Sequence, residues 1–338
     1  MKNKICGLTL MMILLVSVVR AEVSKVGTTA APFLNVEVGA RAIGMGGAFV
    51  AMADDPSALF WNPGAIARLK GYQLMFNHDN YLADIAYNFI GGVFNLQNYG
   101  ALGLSFTSLS MDEMMVTTHL YPYGTGTTFS AGSIAVGLCY GYNITDRFSI
   151  GGGFKYIKES IYNSSAGGMA FDIGTIFTTQ FWGTQIGMSI TNFGPKMKMT
   201  GTDLIVNYDY DSNDPFNNDK INADLRTDSY ELPLMFRVGI ATNLLQTMPQ
   251  HSLWLAVDAM HPNDNSECVN VGMEYGLKDM FFMRGGYKAA FQTNSEQEWT
   301  AGGGIKVTIR GFRTSFDYAY QSFGRLENIQ KMTLVVGY

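Results

Sequence analysis

Large apolar side chains alternate with small or polar ones through most of the chain. In residues 133–142 one set of alternate positions is bulky and apolar, whereas the intervening positions are Ser, Ala, Gly or Cys. The bulky set consists of Ile134, Val136, Leu138, Tyr140 and Tyr142. A period of two predicts a β-strand whose two faces meet different surroundings. A tilted strand of about ten residues is also long enough to cross a membrane.

The same alternation recurs often enough to predict fourteen strands. In several of them the small or polar face also carries charge, as with Arg313 and Asp317 opposite Phe312 and Phe316. The predicted strands cover residues 71–78, 84–96, 99–109, 131–142, 147–159, 168–179, 183–192, 233–242, 251–260, 267–276, 279–288, 298–309, 311–321 and 330–338. An even number of antiparallel strands is typical of bacterial outer-membrane barrels.

The connections between these strands differ in length on the two sides. Those on one side are mostly tight, and they comprise 97–98, 143–146, 180–182, 243–250, 277–278 and Arg310. The opposite side carries the long connections, including 110–130 and 193–232. Alternation alone would also fit a soluble sandwich or propeller, but short turns on one rim and long loops on the other are typical of outer-membrane barrels. The sequence therefore predicts an all-β fold, a 14-stranded antiparallel transmembrane barrel over residues 71–338.

The two ends of the chain support an outer-membrane location. Lys2 and Lys4 precede an apolar stretch and the sequence Val19-Arg20-Ala21, which together predict a signal peptide over residues 1–21. The last strand places Met332, Leu334, Val336 and Tyr338 on alternate positions, and this pattern resembles the insertion signal of outer-membrane barrels. We therefore expect outer-membrane lipid and the barrel assembly machinery as partners, in a Gram-negative-type bacterium.

Composition and motifs exclude several other classes of protein. Only 15% of the 338 residues are charged and the net charge is −5, which argues against a disordered chain and against a nucleic-acid-binding protein. The sequence contains no Gly-x-Ser-x-Gly, His-Glu-x-x-His or P-loop motif. We therefore expect no enzymatic activity, no cofactor and no metal centre, with calcium in an outer loop, considered below, as the one alternative.

Residues 22–70 lack strand periodicity and are rich in glycine. The interior of a fourteen-stranded barrel is too wide for its own side chains to fill, so this segment is expected to form an N-terminal plug, or hatch. The candidate plug residues are Arg41, Gly44, Gly46, Gly47, Asp54, Asp55, Asn62 and Pro63. The charged side chains expected to face the interior are Arg147, Lys155, Asp172, Arg237, Asp258, Glu274, Arg284 and Arg313. Arg41, Asp54 and Asp55 are expected to supply partners for some of them; a solvated turn is the alternative for the two aspartates.

The loop 193–232 is long, acidic and, from the strand count, extracellular. Its candidate partner-binding residues are Asp209, Tyr210, Asp211, Asp214 and Phe216. The alternating oxygens of residues 209–213 also suggest a calcium loop, but Asp214 stands where such a loop needs Gly and Lys220 where it needs Glu. Contact with a protein partner, calcium binding and a plain solvated loop all remain open at this stage.

Several sequence blocks resemble one known family. They include residues 39–51, the run from Asp54 to Gly64, residues 192–198, 230–233, 258–265, 272–275 and 284–287. These blocks are similar to those of the PorV/PorQ family of outer-membrane proteins, which are relatives of the FadL-type fatty-acid transporters. The resemblance implies a fourteen-stranded barrel with an N-terminal hatch.

The resemblance implies two alternative functions. In the PorV branch it implies a component of the type IX secretion system that binds the translocon, or cargo bearing a C-terminal signal domain, at the cell surface. In the FadL branch it implies a transporter of hydrophobic small molecules across the outer membrane.

Overall fold

Fourteen antiparallel strands form one closed barrel in the computed structural model, which describes residues 26–81, 85–210, 218, 220–292, 298–326 and 328–338. The strands are β1 Tyr72–Asn80, β2 Ala86–Asn95, β3 Ala101–Ser110, β4 Ala131–Thr145, β5 Phe148–Ile161, β6 Ser164–Thr178, β7 Gln185–Phe193, β8 Met235–Asn243, β9 His251–Pro262, β10 Cys268–Leu277, β11 Phe281–Ala290, β12 Trp299–Ile309, β13 Phe312–Ser322 and β14 Asn328–Gly337. Each strand pairs with its neighbours in the chain, and β14 pairs with β1 to close the wall. The predicted fold class is confirmed. The predicted signal peptide, residues 1–21, lies outside the described residues.

The largest difference in strand bounds concerns β6, which begins at Ser164 rather than at residue 168. Residues 163–167, Asn-Ser-Ser-Ala-Gly, read as a loop from their composition. In the barrel they extend the ladder instead, because β5 continues to Ile161 and Ser164 pairs with it. Tertiary pairing therefore overrides the weak local preference for strand.

The bulky face of the strands points away from the barrel interior. On β4, Ile134, Val136 and Leu138 are exposed at the outer wall, whereas Ala135 and Cys139 on the intervening positions are buried. This is the orientation that a lipid-facing wall requires, because the apolar side chains contact hydrocarbon while the small ones leave room inside.

The connections keep the predicted asymmetry. The turns at 146–147, 278–280 and 310–311 are short and lie on the periplasmic side by the rule for such barrels. The outer loops contain small sheets of their own, Met114–Met115 with Thr128–Phe129 and Ile205–Tyr208 with Ile221–Asp224.

Residues 26–71, here called the N-terminal segment, precede β1 and pack against the inner face of the wall. The segment contains two short 3₁₀ helices, Pro32–Asn35 and Pro63–Arg68, and two short α-helices, α1 Ala40–Gly44 and α2 Ala58–Trp61. Within the described part of the chain, every helix falls short of the length and apolar character that a membrane crossing demands.

The N-terminal segment starts near the outer loops and ends at the periplasmic turns. Thr29 forms a parallel bridge with Glu231, and its hydroxyl donates to Asp264 at 3.0 Å. At the other end, the Arg68 guanidinium donates to the carbonyl of Arg147 at 2.7 Å. The segment therefore passes along the barrel interior from the outer end to the periplasmic end.

Candidate functional site

Asn62 and Pro63 hold the N-terminal segment against strands β5 and β6. The Asn62 amide donates to the carbonyls of Val50 at 2.9 Å and Thr175 at 3.0 Å, and its oxygen accepts from the Gly64 amide. The wall is a glycine at this point, because a Cβ on Gly174 would overlap the Asn62 oxygen and lie 2.8 Å from Pro63 Cδ. Small residues on the wall are therefore needed for this close approach.

The glycines at 44, 46 and 47 lie at the end of α1, which packs on the part of the wall opposite to β5 and β6. The Gly46 amide donates to the Thr300 hydroxyl at 3.0 Å. Gly46 has a φ of 66°, and a Cβ added there would lie 2.9 Å from the backbone nitrogen of Tyr287. Gly44 faces Gly302 in the same way, because a Cβ added to Gly44 would lie 3.2 Å from the Gly302 Cα. The backbone of α1 thus packs directly on β11 and β12.

Two buried charges of the wall contact the N-terminal segment without a salt bridge. Asp258 accepts hydrogen bonds from the backbone amides of Phe49 at 2.7 Å and Val50 at 2.8 Å. The Arg237 guanidinium lies 5.4 Å from the Phe60 ring centroid and 5.3 Å from that of Trp61. Backbone dipoles and aromatic faces therefore take the place of opposite charges.

Arg41 joins the N-terminal segment to the wall by ion pairs. Its Nε lies 2.8 Å from Glu274 on β10, and Glu274 also accepts from Arg284 on β11 at 2.6 Å. Among the described residues, no cation of the wall pairs with Asp54 or Asp55. They pair with Arg41 instead, Asp55 at 3.6 Å. The structure therefore differs from the prediction that both aspartates supply partners to the wall. Arg41 contacts the wall, and the aspartates balance its charge.

Burial and pairing change the acidity of these groups. Burial lowers the pKa of Arg41, but the charges of Asp54 and Glu274 outweigh this effect and hold the pKa well above its usual value. Burial raises the pKa of Asp55, and the nearby Arg41 offsets only part of that rise. Arg41 therefore keeps its charge inside the barrel.

The other predicted inward charges differ in their surroundings. Lys155 pairs with Asp172 at 2.7 Å, and Arg284 pairs with Asp317 at 2.6 Å. Arg147 is exposed in a periplasmic turn, because β5 begins only at Phe148, so its predicted inward position is wrong. Arg313 lines the interior but meets water in the cavity described below.

Sequence reasoning missed a further buried pair near the outer end. Lys331 on β14 lies 2.6 Å from Asp79 on β1 and also donates to the carbonyl of Glu37 at 2.6 Å. Lys288 on β11 contacts the Glu37 side chain. Lys331 and Lys288 both stand on the small or polar face of a strand, and this position could have identified them as inward-facing.

A cavity of about 400 Å³ opens at the periplasmic end, between the N-terminal segment and strands β9–β14 and β1. Arg41, Glu274, Arg284 and Asp317 form its floor, and Lys70 and Arg313 lie nearer the periplasmic rim. Its lining is mostly polar and charged, which differs from the apolar pockets that hold most small hydrophobic ligands.

The outer loop 193–232 carries a hairpin with an exposed apolar face. Asp203 fixes its base by accepting from the Asn163 backbone amide at 2.9 Å and the Ser164 hydroxyl at 3.2 Å. Tyr208 pairs with Ile221, and Val206 lies on the same face; these side chains are 53%, 42% and 36% exposed.

Two of the five candidate partner-binding residues lie at the end of the first strand of that hairpin. Asp209 and Tyr210 directly follow its first strand, and the Tyr210 side chain is exposed. Asp211, Asp214 and Phe216 lie outside the described residues, as does most of the possible calcium loop. Among the described residues, no group of three or more His, Cys, Asp or Glu side chains could hold a metal ion.

The C-terminal candidate residues follow the lipid-facing pattern. Met332 and Leu334 are exposed on the outer wall, and Val336 is half-buried. The backbone of Tyr338 exchanges hydrogen bonds with Tyr72 at 2.9 and 3.1 Å, so these residues extend the seam between β14 and β1.

Solved structures of similar fold include a FadL homologue and two toluene transporters. A Pseudomonas aeruginosa FadL homologue is 13% identical with a TM-score of 0.52, covering 87% of this chain and 96% of its own. The Ralstonia pickettii toluene transporter TbuX is 12% identical with a TM-score of 0.53, covering 90% and 98%. The Pseudomonas putida toluene transporter TodX is 11% identical with a TM-score of 0.51, covering 88% and 96%. At these identities the similarity shows the shared barrel fold.

The family comparison covers the N-terminal segment and the first half of the barrel. A comparison with curated proteins gives no significant match. The family model described as type IX secretion system protein PorV matches residues 19–207, which is more than half of the chain. This chain is therefore an outer-membrane β-barrel that belongs to the PorV family of type IX secretion system proteins.

Proposed function

We propose that this chain is a non-enzymatic component of the type IX secretion system that binds the translocon, or cargo carrying a C-terminal signal domain, at the cell surface. Family membership supports the association with that system. The outer hairpin supports binding at the surface, and the polar cavity lining gives no support to a hydrophobic substrate there.

The single observation that carries the outer-face proposal is the exposed apolar face of the hairpin. Val206, Tyr208 and Ile221 project from one face of a two-stranded ribbon in the outer loop and are exposed. Exposed apolar patches rimmed by polar residues mark protein–protein contact sites. The surrounding loop is acidic, so a partner with basic residues around an apolar centre fits it best.

The test replaces that face while keeping the hairpin. The triple variant V206S/Y208S/I221S should capture at least about tenfold less translocon or signal-domain protein in pull-downs from outer-membrane extracts, since a buried hot spot contributes that much or more. The matched control, N207S/N222S, changes the opposite face of the same two strands and should capture normal amounts. Normal capture by the triple variant, at normal barrel abundance, would contradict the proposal.

We also propose that the N-terminal segment closes the lumen as a plug. Its contacts support this role, because Asn62, Arg41 and the amides of Phe49 and Val50 bind different parts of the wall. In planar bilayers the complete protein should therefore show almost no ion conductance, and a variant lacking residues 40–66 should conduct. Equal conductance of the two proteins would argue against a plug.

Transport of a hydrophobic molecule remains the second candidate, and one feature of the wall favours it. The pairing of β6 with β7 shifts register between Phe171 and Ile173, and the outer part of β6 is covered by residues from the outer loop. Behind it lies an apolar cluster that includes Phe33, Met197 and Leu232. If transport occurs here, M197A should raise the uptake of an apolar tracer such as toluene, whereas unchanged uptake would oppose it.

A further inference from the structure

The charges that line the periplasmic cavity are unevenly distributed. On its floor, Arg41 and Arg284 are balanced by Glu274 and Asp317, together with Asp54 and Asp55. Nearer the rim, Lys306 pairs with Asp279 at 3.1 Å. The floor is therefore internally paired and acidic overall, whereas cations predominate at the mouth.

Two of the mouth cations form no salt bridge with any Asp or Glu of the described residues. In the described part of the chain, no Asp or Glu oxygen lies within 4 Å of Lys70 or Arg313. The strand register places Arg313 level with Gly337 and Gln73 on the inner wall, and the Gln73 amide donates to the carbonyl of Lys70 at 3.1 Å. Lys70, two residues before β1, and Arg313 on β13 thus lie at one edge of the opening, on either side of the end of β14.

We propose that the periplasmic mouth of the cavity binds an acidic, extended segment of a periplasmic protein, with Lys70 and Arg313 contacting its carboxylates. This binding site lies at the opposite end of the barrel from the proposed outer-face function and does not depend on it. Arginine and lysine at the rim of an open cavity provide charge-assisted hydrogen bonds to carboxylates. The acidic floor repels those carboxylates, so they stay at the mouth. The hydroxyls of Ser252 and Ser315, which also line the cavity, can bind the peptide backbone.

The position of the two cations favours a peptide over a lipid headgroup. Arg313 is on the inward face of β13, whose outward face carries Phe316, so it points to the lumen and not to the bilayer. Two other cations, Lys278 and Arg310, lie in the periplasmic turns beside the lipid-facing Phe281 and Ile309. Those two are placed for phospholipid phosphates, and they do not line the cavity.

Because Lys278 and Arg310 lie outside the cavity, their replacement is a matched control for the replacement of Lys70 and Arg313. The full chain is placed in phosphatidylcholine nanodiscs, and the binding of a fluorescent tetraglutamate peptide is followed by anisotropy. The variant K70Q/R313Q should bind at least about tenfold more weakly, and K278Q/R310Q should change binding less than about twofold. A tetralysine peptide should not bind detectably. All four substituted side chains are solvent-exposed, and heat-modifiable mobility on gels verifies that each variant is folded.

Three results would overturn the proposal. Absence of tetraglutamate binding to the unsubstituted protein would remove the site. Equal weakening by both double variants would show diffuse attraction to a basic rim. If phosphatidylglycerol in the nanodisc displaced the peptide from the unsubstituted protein, and was itself retained less by K70Q/R313Q, the site would belong to a lipid headgroup.

Discussion

Arg41 shows how one side chain can fix a segment inside a barrel. It comes from the N-terminal segment, yet it shares Glu274 with Arg284 of the wall and also balances Asp54 and Asp55. Removing one member of a buried ion-pair network leaves other charges without compensation, and this usually costs more than the pair contributes when it is complete.

Replacement of Arg41 should therefore weaken docking of the N-terminal segment. We expect R41M to reduce the free energy of docking by about 3 kcal/mol, because Glu274 and Asp55 would stay buried with fewer partners. Native-state proteolysis within residues 26–71 measures this change, since cleavage there follows the population of the undocked state.

The matched control for this prediction is D54N. The Asp54 side chain is 67% exposed, so its pair with Arg41 is largely screened by water and its loss should cost at most about 1 kcal/mol. If R41M were cleaved no faster than D54N, Arg41 would not hold the segment in place.

At the scale of elements, glycines allow the N-terminal segment to pack closely against the wall. Residues 62–64 pack on glycines of β5 and β6, and residues 44–46 pack on glycines of β11 and β12. Such close approach leaves no room for a side chain on the wall at these positions. The glycines of the inner wall thus determine where the segment can bind.

A methyl group on this wall should displace the segment while leaving the barrel closed. We expect G174A to increase protease cleavage of the N-terminal segment at least about tenfold, because the new Cβ would overlap the Asn62 oxygen. G152A is the matched control, because Gly152 is on the outward face of the neighbouring strand and its added Cβ would lie 3.7 Å from the nearest atom. Equal protection of G174A and the unsubstituted protein would disprove the contact.

The last strand provides a second prediction at this scale. The ring of Tyr338 lies 5.3 Å from that of Phe312, and its backbone completes the seam with Tyr72. If the terminal aromatic acts as the insertion signal for the barrel assembly machinery, Y338A should slow the appearance of folded barrel in a reconstituted assembly reaction severalfold. F312A removes the same ring contact within the folded barrel and should assemble at a normal rate.

At the scale of the whole molecule, the N-terminal segment extends from the outer end of the barrel to its periplasmic end. Glu159, Glu231 and Asp264 hold residues 29–31 at the outer end, and Arg68 contacts the periplasmic turns. The described part of the segment therefore begins at the outer end of the barrel and ends at the periplasmic turns, whereas a plug attached only at the periplasmic rim would have no contact with the outer end.

Cysteine labelling on intact cells checks this course. We expect V26C to react with a membrane-impermeant maleimide, because Val26 is 65% exposed near the outer loops. The experiment uses a chain carrying C268S, and T247C in the exposed periplasmic turn is the control that should react only after lysis. Labelling of V26C only in lysed cells would contradict the outward start of the segment.

Much of the barrel could be predicted because the alternation of side chains within each strand reflects the surroundings of its two faces. The alternation along β4 distinguishes lipid-facing from lumen-facing positions with no knowledge of the neighbouring strands. Strand ends were less predictable, as at Ser164, where pairing with β5 outweighs composition. The buried pair of Lys331 with Asp79 was missed, because closure of the barrel brings together residues from the two ends of the sheet.

The sequence by itself determined the number of strands, the face that meets lipid and the side on which long loops lie, because those properties follow from local periodicity and connection length. Only the tertiary structure decided which inward charges meet. Arg41 and Glu274 are 233 positions apart, and Asp54 and Asp55 balance Arg41 instead of reaching the wall. Such partners depend on strand register and on the path of the N-terminal segment through a closed interior, and neither is encoded in any single stretch of sequence.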